Sequence, residues 1–244
     1  MISVTILTKN SEETLRATLQ STLSFPEVIL YDTGSTDDTL AIAKSFPHVK
    51  IFSGALEGFG PTHNKVSALA SYDWILSLDS DEILSPALIE ELHALPLDSN
   101  KTYSIQRHNF FWGKQIKGCA GWHPDVVVRL YNREVTQFTS AEVHEQVETK
   151  GLLVIALKNG ILHTPYRTIS DFLHKMHTYS DLFAKQNKKK TSLSEALFRS
   201  WFAFFKSYFL KRGFLAGNEG LLISLYNAHT TFYKYAKLYE NQKK

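Results

Sequence analysis

The sequence predicts an α/β fold with a mainly parallel β-sheet, followed by a helical extension. Short β-branched apolar runs alternate with helical segments through the first hundred residues. Strands connected through helices form right-handed βαβ units, whose strands pair in parallel. From Ser170 onward, apolar residues recur at helical spacing to the end of the chain. We therefore expect an α/β domain over residues 1–168 and a helical extension over residues 169–244 that associates with a membrane or packs on itself.

The elements of the first half can be assigned in order. After the first apolar run, Asn10 or Ser11 can cap a helix, and Glu12 or Glu13 can reach back to the cap. A helix near Ser85-Pro86 is expected from the cap and the proline. The four predicted strands are Val4–Leu7, Val28–Tyr31, Val49–Phe52 and Trp74–Leu78, with helices around Leu40–Ser45 and Pro61–Ala70.

The middle of the chain, about residues 100–165, mixes predicted strands with loops rich in Gly, Trp and His. We expect this part to extend the sheet and to build a second wall of a cleft. Its predicted strands are Tyr103–Arg107, Val126–Tyr131, Leu152–Leu157 and Gly160–His163.

Polar loops follow three of the predicted strands, after Leu7, Tyr31 and Leu78. Ligands of parallel α/β sheets bind at the carboxyl ends of the strands. The sequence therefore predicts that these three loops meet at one ligand site.

Asp79 and Asp81 follow the fourth strand directly. On an extended backbone, side chains two residues apart face the same way, and two adjacent carboxylates favour a hard cation such as Mg²⁺ or Mn²⁺. The alternative is that both acids lie at the N-terminus of the helix near Ser85, where the helix dipole favours negative charge.

The loop after the second strand reads Asp32-Thr33-Gly34-Ser35-Thr36-Asp37-Asp38-Thr39. Gly34 permits a sharp backbone reversal. Asp37 or Asp38 can cap the next helix. Asp32 precedes the turn, so helix capping does not explain it, and it is a candidate to contact a base or a ribose.

Several segments together resemble a known family. The first three are Val4-Thr5-Ile6-Leu7-Thr8-Lys9-Asn10, Tyr31–Thr39 and Leu78-Asp79-Ser80-Asp81-Glu82. Later segments are Phe111-Trp112-Gly113-Lys114, Gly121-Trp122-His123-Pro124-Asp125, Arg129-Leu130-Tyr131, Val143-His144-Glu145 and Lys211-Arg212-Gly213-Phe214. The chain is similar over nearly its whole length to family 2 glycosyltransferases of GT-A fold, in particular to bacterial lipopolysaccharide-core β-1,4-glucosyltransferases.

This resemblance implies an inverting transfer of a hexose from a nucleotide sugar, often a UDP-sugar, to a glycan or glycolipid acceptor. It implies a GT-A αβα sandwich and a Mg²⁺ or Mn²⁺ cofactor. By position, Asp79, Asp81 and His163 would hold the metal bound to the diphosphate. The nucleotide-sugar site would comprise Thr8, Asn10, Asp32, Asn64, Lys65, Asp79 and Ser80.

The catalytic base is the position at which this chain departs from the family pattern. Many relatives carry a pair of acidic residues at the start of a later helix, and this chain has no evident pair there. Glu145 is the nearest candidate, and Glu142 is a lesser one. Glu145 could instead form a salt bridge with Arg129.

The segment containing Trp122, His123 and Asp125 is a candidate acceptor site, because the apolar face of a sugar packs well on an indole. A core tryptophan is the alternative. In the extension, residues 197–209 present an apolar face with flanking cations, which suits an interfacial membrane helix, packing on the α/β domain, or a homodimer.

The remaining features narrow the classes of function. With 43% apolar residues, the chain has the composition of a folded globular protein and not of an intrinsically disordered one. The single cysteine, Cys119, cannot form an internal disulfide, and we see no secretory signal or membrane-spanning run. We therefore expect a cytoplasmic protein that is peripheral at the inner face of a bacterial inner membrane. A nucleotidyltransferase and a non-catalytic membrane-surface or nucleic-acid binding protein are the alternatives. No nucleic-acid partner is expected, since the acidic cleft would then be unexplained.

Overall fold

The computed structural model describes residues 1–140 and 145–243. Its contacts group the chain into two compact units. The first comprises Met1–Arg107 and Val126–His163, and the second comprises His108–Asp125 and Thr164–Lys244. The second unit thus includes a segment from the middle of the sequence as well as the extension.

The first unit is built on a sheet whose first half is parallel. Among the described residues the strand order in this half is β3-β2-β1-β4. Thr8 of β1 is paired with Asp32 of β2, and Leu7 with Asp79 of β4, so the ends of these strands lie side by side. The strands are β1 (Ile2–Thr8), β2 (Glu27–Asp32), β3 (Val49–Ser53) and β4 (Trp74–Asp79).

The other half of the sheet continues from β4 in the order β8-β6-β9-β5, with antiparallel pairing of β4 with β8, β8 with β6, and β9 with β5. The two strands predicted between residues 152 and 163 form one strand. The short strand β5 was not predicted, and it pairs Glu82 with His163. The strands are β5 (Glu82–Leu84), β6 (Lys101–Phe111), β7 (Lys114–Gln115), which pairs with the end of β6, β8 (Val126–Asn132) and β9 (Leu153–His163).

Three helices connect the parallel strands as the sequence predicts, and a fourth follows β5. They are α1 (Leu15–Ser21), α2 (Thr39–Lys44), α3 (Phe59–Ala68) and α4 (Pro86–Ala94). The predicted cap at Asn10 or Ser11 is wrong, because α1 begins at Leu15 and the Asn10 side chain accepts a hydrogen bond from the Thr36 N–H instead. The cap of α4 is confirmed, since Ser85 Oγ accepts a hydrogen bond from the Leu88 N–H at 3.2 Å.

The core of the first unit lies against the sheet. Val4, Ile6, Leu30, Leu76 and Leu78 are completely buried. Each side chain of this size contributes about 1.5–3 kcal/mol when it leaves water. This burial holds the parallel strands against the helices. The carboxyl ends of the strands, which carry the polar residues, therefore keep fixed positions relative to each other.

The second unit is mainly helical, as predicted for the extension. Its helices are α5 (Ile169–Gln186), α6 (Leu193–Phe205) and α7 (Asn218–Asn241), and a π-helical turn (Lys206–Leu210) and a 3-10 turn (Gly213–Ala216) lie between α6 and α7. A Cβ at Gly220 would lie 1.9 Å from the Gly213 carbonyl oxygen, so this close approach requires glycine. Among the described residues, no helix combines the length and the apolar character needed to cross a bilayer.

Candidate active site

The loops that follow β1 and β2 are hydrogen-bonded to each other. Asn10 has a left-handed backbone, with φ of 50°, and its Oδ1 accepts a hydrogen bond from the Thr36 N–H at 2.8 Å. The Asn10 N–H donates to Ser35 Oγ at 2.9 Å. Thr8 joins the same structure through its carbonyl, which accepts from the Thr33 N–H at 3.0 Å. The two loops therefore form one preorganised edge.

Asp32 is buried at the end of β2, and its carboxylate organises its own turn. It accepts hydrogen bonds from the N–H groups of Gly34 and Ser35 at 3.1 Å, and from Ser35 Oγ at 2.5 Å. Gly34 has φ of 101°, a conformation that glycine adopts readily. Asp38 occupies the N-cap position of α2 without a capping bond from its side chain, and Asp37 Oδ1 accepts a hydrogen bond from the Thr39 N–H at 3.1 Å.

The chain turns sharply at Ser80 and Asp81, between β4 and β5. Ser80 is fixed on both sides of this turn. Its Oγ lies 2.8 Å from Ser11 Oγ, and its carbonyl accepts from Thr18 Oγ1 at 3.0 Å. These bonds join the turn after β4 to the loop after β1, so the three predicted loops do meet at one edge of the sheet. Because β5 intervenes before α4, neither aspartate lies in the first turn of that helix.

Asp79 belongs to a cluster of four ionisable side chains. Arg129 Nη2 donates to Asp79 Oδ2 and, at 2.5 Å, to Glu82 Oε1. Arg107 Nη1 lies 3.3 Å from Glu82 Oε1 and 3.7 Å from Asp79 Oδ2. Glu82 also accepts from the Asp79 N–H at 3.0 Å. Two arginines thus balance two carboxylates where β4, β5, β6 and β8 meet.

The electrostatics of this cluster follow from burial and from the arginines. Burial alone would raise the pKa of Asp79, but the neighbouring charges together, first Arg129 and then the smaller effects of His63, Arg107 and His163, hold that pKa below its usual range. Burial raises the pKa of Glu82, which is completely inaccessible to solvent. Close by in the first unit, burial lowers the pKa of His63 to about 4, so its imidazole is neutral near pH 7.

Asp81 and His163 face each other beside this cluster. His163 Nε2 lies 3.6 Å from Asp81 Oδ2, and the Asp81 side chain is 28% exposed. The pairing of β5 with β9 brings the two together, since His163 is directly opposite Glu82 in the register.

These two side chains fit a divalent cation. Two ligands of one octahedral Mg²⁺ lie about 3 to 4 Å apart, which the Asp81–His163 separation matches. Within residues 1–140 and 145–243, no three His, Cys, Asp or Glu side chains converge into a complete protein cage. Mg²⁺ is commonly held by one or two carboxylates together with substrate phosphates and water, so an open pair of ligands suits it.

The family follows from comparison with known proteins. A sequence model described as glycosyl transferase family 2 matches residues 3–139, which is more than half of the chain. The chain belongs to glycosyl transferase family 2. It is 30% identical to a Rickettsia typhi protein described as an uncharacterized glycosyltransferase, over 98% of this chain and 87% of the relative. It is 24% identical to the lipopolysaccharide core biosynthesis glycosyltransferase LpsC of Rhizobium meliloti, over 98% of this chain and 92% of LpsC.

A solved structure confirms the GT-A fold. The mannosyltransferase PcManGT of Pyrobaculum calidifontis, solved in complex with GDP-Man and Mn²⁺, superimposes with a TM-score of 0.56 at 12% identity. The match covers the whole of this chain and 88% of PcManGT. The resemblance drawn from the sequence motifs to family 2 glycosyltransferases is thereby confirmed.

Asn64 and Lys65 of the glycosyltransferase lie on α3 and already have partners. Asn64 Nδ2 donates to the Phe138 carbonyl at 2.9 Å, and Asn64 Oδ1 accepts from the Phe138 N–H at 2.8 Å. Lys65 Nζ lies 2.7 Å from Glu57 Oε1 and 5.7 Å from the centre of the Tyr31 ring. Their assignment to the nucleotide-sugar site stays a prediction.

The candidate base Glu145 is partly exposed, and its assignment also stays a prediction. Glu142 lies outside the residues that the structure describes. Arg129, the alternative salt-bridge partner of Glu145, has Asp79 and Glu82 as partners in the ion cluster.

The candidate acceptor residues lie in the second unit. Trp122 is only 4% exposed, and its ring stacks on Tyr166 with centres 5.7 Å apart. This is the packing of a core tryptophan, the alternative that the sequence left open. His123 is exposed, and Asp125 accepts a hydrogen bond from Asn109 Nδ2 at 2.9 Å. These two side chains remain the candidates for contact with an acceptor.

Sequence reasoning did not identify Glu82 and Arg107 as parts of the site. The signal was present for Arg129, which stands inside the apolar run Val126–Tyr131. A charge in a buried strand must be paired, so such a residue requires an acid on a neighbouring strand. Which acid it meets depends on the pairing of β4 with β8, which no local pattern reveals.

Proposed function

We propose that this glycosyltransferase moves a hexose, glucose from UDP-glucose, onto a lipopolysaccharide-core or related cell-surface glycan acceptor, with inversion at the anomeric carbon. The acceptor class is supported by LpsC, a relative over nearly the full length of both chains. We place the reaction at the cytoplasmic face of the bacterial inner membrane, where nucleotide sugars are available.

In this proposal the nucleotide lies along the edge formed by Thr8, Asn10 and Asp32. The loops there are rigid because they are hydrogen-bonded to each other, so the site loses little conformational entropy on binding. Ser80 lies on the same edge, tied to the loop after β1. The donor diphosphate would then extend toward the turn at Asp81.

The single observation that carries the proposal is the approach of Asp81 to His163, 3.6 Å apart at the edge where the polar loops meet. These two side chains would hold a divalent cation, which would neutralise charge on the departing nucleotide diphosphate. Asp79 is the further candidate ligand, and Arg129 keeps its carboxylate ionised. Glu145 is the proposed base for the acceptor hydroxyl, and His123 and Asp125 are the proposed acceptor contacts.

The proposal is tested by the release of nucleotide from UDP-glucose, UDP-galactose and GDP-mannose, after chelation and after addition of Mn²⁺ or Mg²⁺. We expect UDP-glucose with a metal to be preferred. Asp81→Asn and His163→Asn should each lower turnover by roughly a hundredfold or more, because metal stabilisation of the leaving group is worth several kcal/mol. The same variants should weaken Mn²⁺ binding measured by electron paramagnetic resonance.

Two control variants match these changes. Asp73→Asn alters a 59% exposed carboxylate just before the opposite end of β4, and His174→Asn alters an exposed histidine of α5. Both should retain Mn²⁺ binding and turnover. Full activity in chelator, or unchanged Mn²⁺ binding in both Asp81→Asn and His163→Asn, would contradict the assignment of the cation site.

A further inference from the structure

A face of the second unit carries large apolar side chains that remain exposed. It runs from α6 through the π-helical turn to the 3-10 turn. Phe198, Trp201, Phe209, Leu210, Phe214 and Leu215 have exposed fractions of 47% to 68%. We name these six residues the aromatic face.

Ring contacts connect the aromatic residues of this face. They join Phe198 to Trp201, Trp201 to Phe205 and Phe205 to Phe209, with centres 6.4, 5.6 and 5.3 Å apart, and Tyr208 joins Phe209 to Phe214. Apolar residues that are exposed singly are scattered over the surface of most proteins and need no explanation. A group of them in contact, as here, is typical of an interaction site.

The opposite side of α6 is already occupied within the unit. Ala196 is completely buried, and Ser200 Oγ donates to the Ala228 carbonyl of α7 at 2.9 Å. In the turn that follows, Ser224 Oγ of α7 donates to Ser207 Oγ at 2.9 Å. Packing within the unit therefore fixes α6 with the aromatic face outward.

The charges around this face identify the partner. Residues 196–218 contain four cations and no acidic residue. Arg199 pairs with Glu195 at 2.7 Å, whereas Lys206, Lys211 and Arg212 are exposed and form no ion pair with any residue in the described part of the chain. An apolar face bordered by unpaired cations fits a surface with an apolar interior and anionic head groups.

A second copy of the chain fits this face less well. A two-fold dimer uses the same patch on both subunits, so a patch carrying the unpaired cations Lys206, Lys211 and Arg212 would face an equally cationic patch. The repulsion would oppose the apolar contact. An anionic lipid surface has the complementary charge.

We propose that the aromatic face is a docking surface for an anionic phospholipid bilayer, with the aromatic rings at the head-group boundary and Lys206, Lys211 and Arg212 against the lipid phosphates. The docking does not depend on the sugar or the acceptor proposed above. It would bring the enzyme to the membrane, where a lipid-linked acceptor resides.

Vesicle flotation of the full chain tests this surface. We expect the chain to bind vesicles of phosphatidylcholine mixed with phosphatidylglycerol, and to bind phosphatidylcholine vesicles much more weakly. Because each cation near an anionic membrane contributes roughly fivefold in affinity, the triple variant Lys206→Ala, Lys211→Ala, Arg212→Ala should bind roughly a hundredfold more weakly. Phe198→Ser with Trp201→Ser should also abolish flotation.

The control replaces equally exposed apolar residues of the first unit, Leu23→Ser with Val154→Ser, and should float like the unchanged chain. Circular dichroism melting confirms that each variant is folded, and sedimentation velocity reports its oligomeric state. Absence of binding to anionic vesicles overturns the proposal. The proposal is also overturned if the unchanged chain is a dimer and the Phe198→Ser, Trp201→Ser variant is a monomer. Flotation is measured without nucleotide sugar, so its outcome and that of the turnover assay are independent.

Discussion

Replacing Arg129 by leucine would leave the buried carboxylate of Glu82 and the partly exposed carboxylate of Asp79 without the cation that they share. Arg129 is 6% exposed and donates to both Asp79 and Glu82, while Arg107 lies farther from each of them. Removing one partner of a buried ion pair costs about 3–5 kcal/mol, because the remaining charge stays buried without compensation. A domain with a total stability of roughly 5–15 kcal/mol would lose a large share of it.

Urea unfolding followed by tryptophan fluorescence measures this loss. We expect Arg129→Leu to lower the free energy of unfolding by about 3 kcal/mol or more. Arg16→Leu is the matched control, since Arg16 is an exposed residue of α1, and it should change stability by less than about 0.5 kcal/mol.

A double variant separates charge from packing. Adding Glu82→Leu to Arg129→Leu removes one of the two uncompensated charges, and an apolar pair can replace a buried ion pair with little loss. We therefore expect the double variant to be more stable than Arg129→Leu alone, an interaction that a double-mutant cycle detects. If Arg129→Leu were as stable as Arg16→Leu, the ion cluster would not be what holds the ends of β4, β5 and β8 together.

Two further predictions concern groups away from the cluster. Glu27 is 3% exposed and accepts from Lys50 Nζ at 2.6 Å, and despite its burial, its hydrogen bonds lower its pKa from 4.5 to about 2. A lowered pKa stabilises the fold at pH above the unfolded value, and this stabilisation is lost as pH falls from 4.5 toward 2. The full shift in pKa corresponds to about 3 kcal/mol, but Lys50 is largely exposed, so solvent weakens the interaction. Glu27→Gln should thus lower the free energy of unfolding by about 2 kcal/mol near neutral pH. The difference from the unchanged chain should vanish in acid. Urea unfolding as a function of pH checks this, and a pH-independent difference would contradict it. Cys119 is completely buried and burial raises its pKa, so iodoacetamide should label it only in denaturant; mass spectrometry showing rapid labelling of the folded chain would contradict its burial.

The fold could be predicted from the sequence where local pattern determines it. The first four strands are apolar runs of four or five residues, and the helices between them follow from spacing alone. Strand β5 could not be predicted, because three residues carry no periodicity and its pairing partner is about eighty residues away. The start of α1 was misplaced for a similar reason, since Asn10 bonds to a loop 26 residues distant.

The sequence predicted several of the residues that lie at the candidate site, but it did not predict which side chains contact each other there. The rule for parallel sheets brought Thr8, Asp32 and Asp79 to one edge, and the register of β1 with β2 and β4 places them there. The partners of each side chain depend on pairings between distant strands. Glu82 follows Asp81 directly in the sequence, yet its burial and its bond to Arg129 become visible only with the pairing of β4 and β8 in place.

The prediction that Asp79 and Asp81 face the same way assumed an extended backbone through Ser80. The strand ends at Asp79, and Ser80 and Asp81 form a turn, so the alternation of side chains does not continue. The two carboxylates consequently have different environments: Asp79 bonds to Arg129, and Asp81 faces His163. A cation bound at Asp81 would not have to displace Arg129 from Asp79, because Asp81 faces His163 and not Arg129. If Asp81 and His163 bind the metal, Asp79 and Arg129 hold the turn that presents it, and loss of Arg129 should then weaken Mn²⁺ binding without removing a ligand.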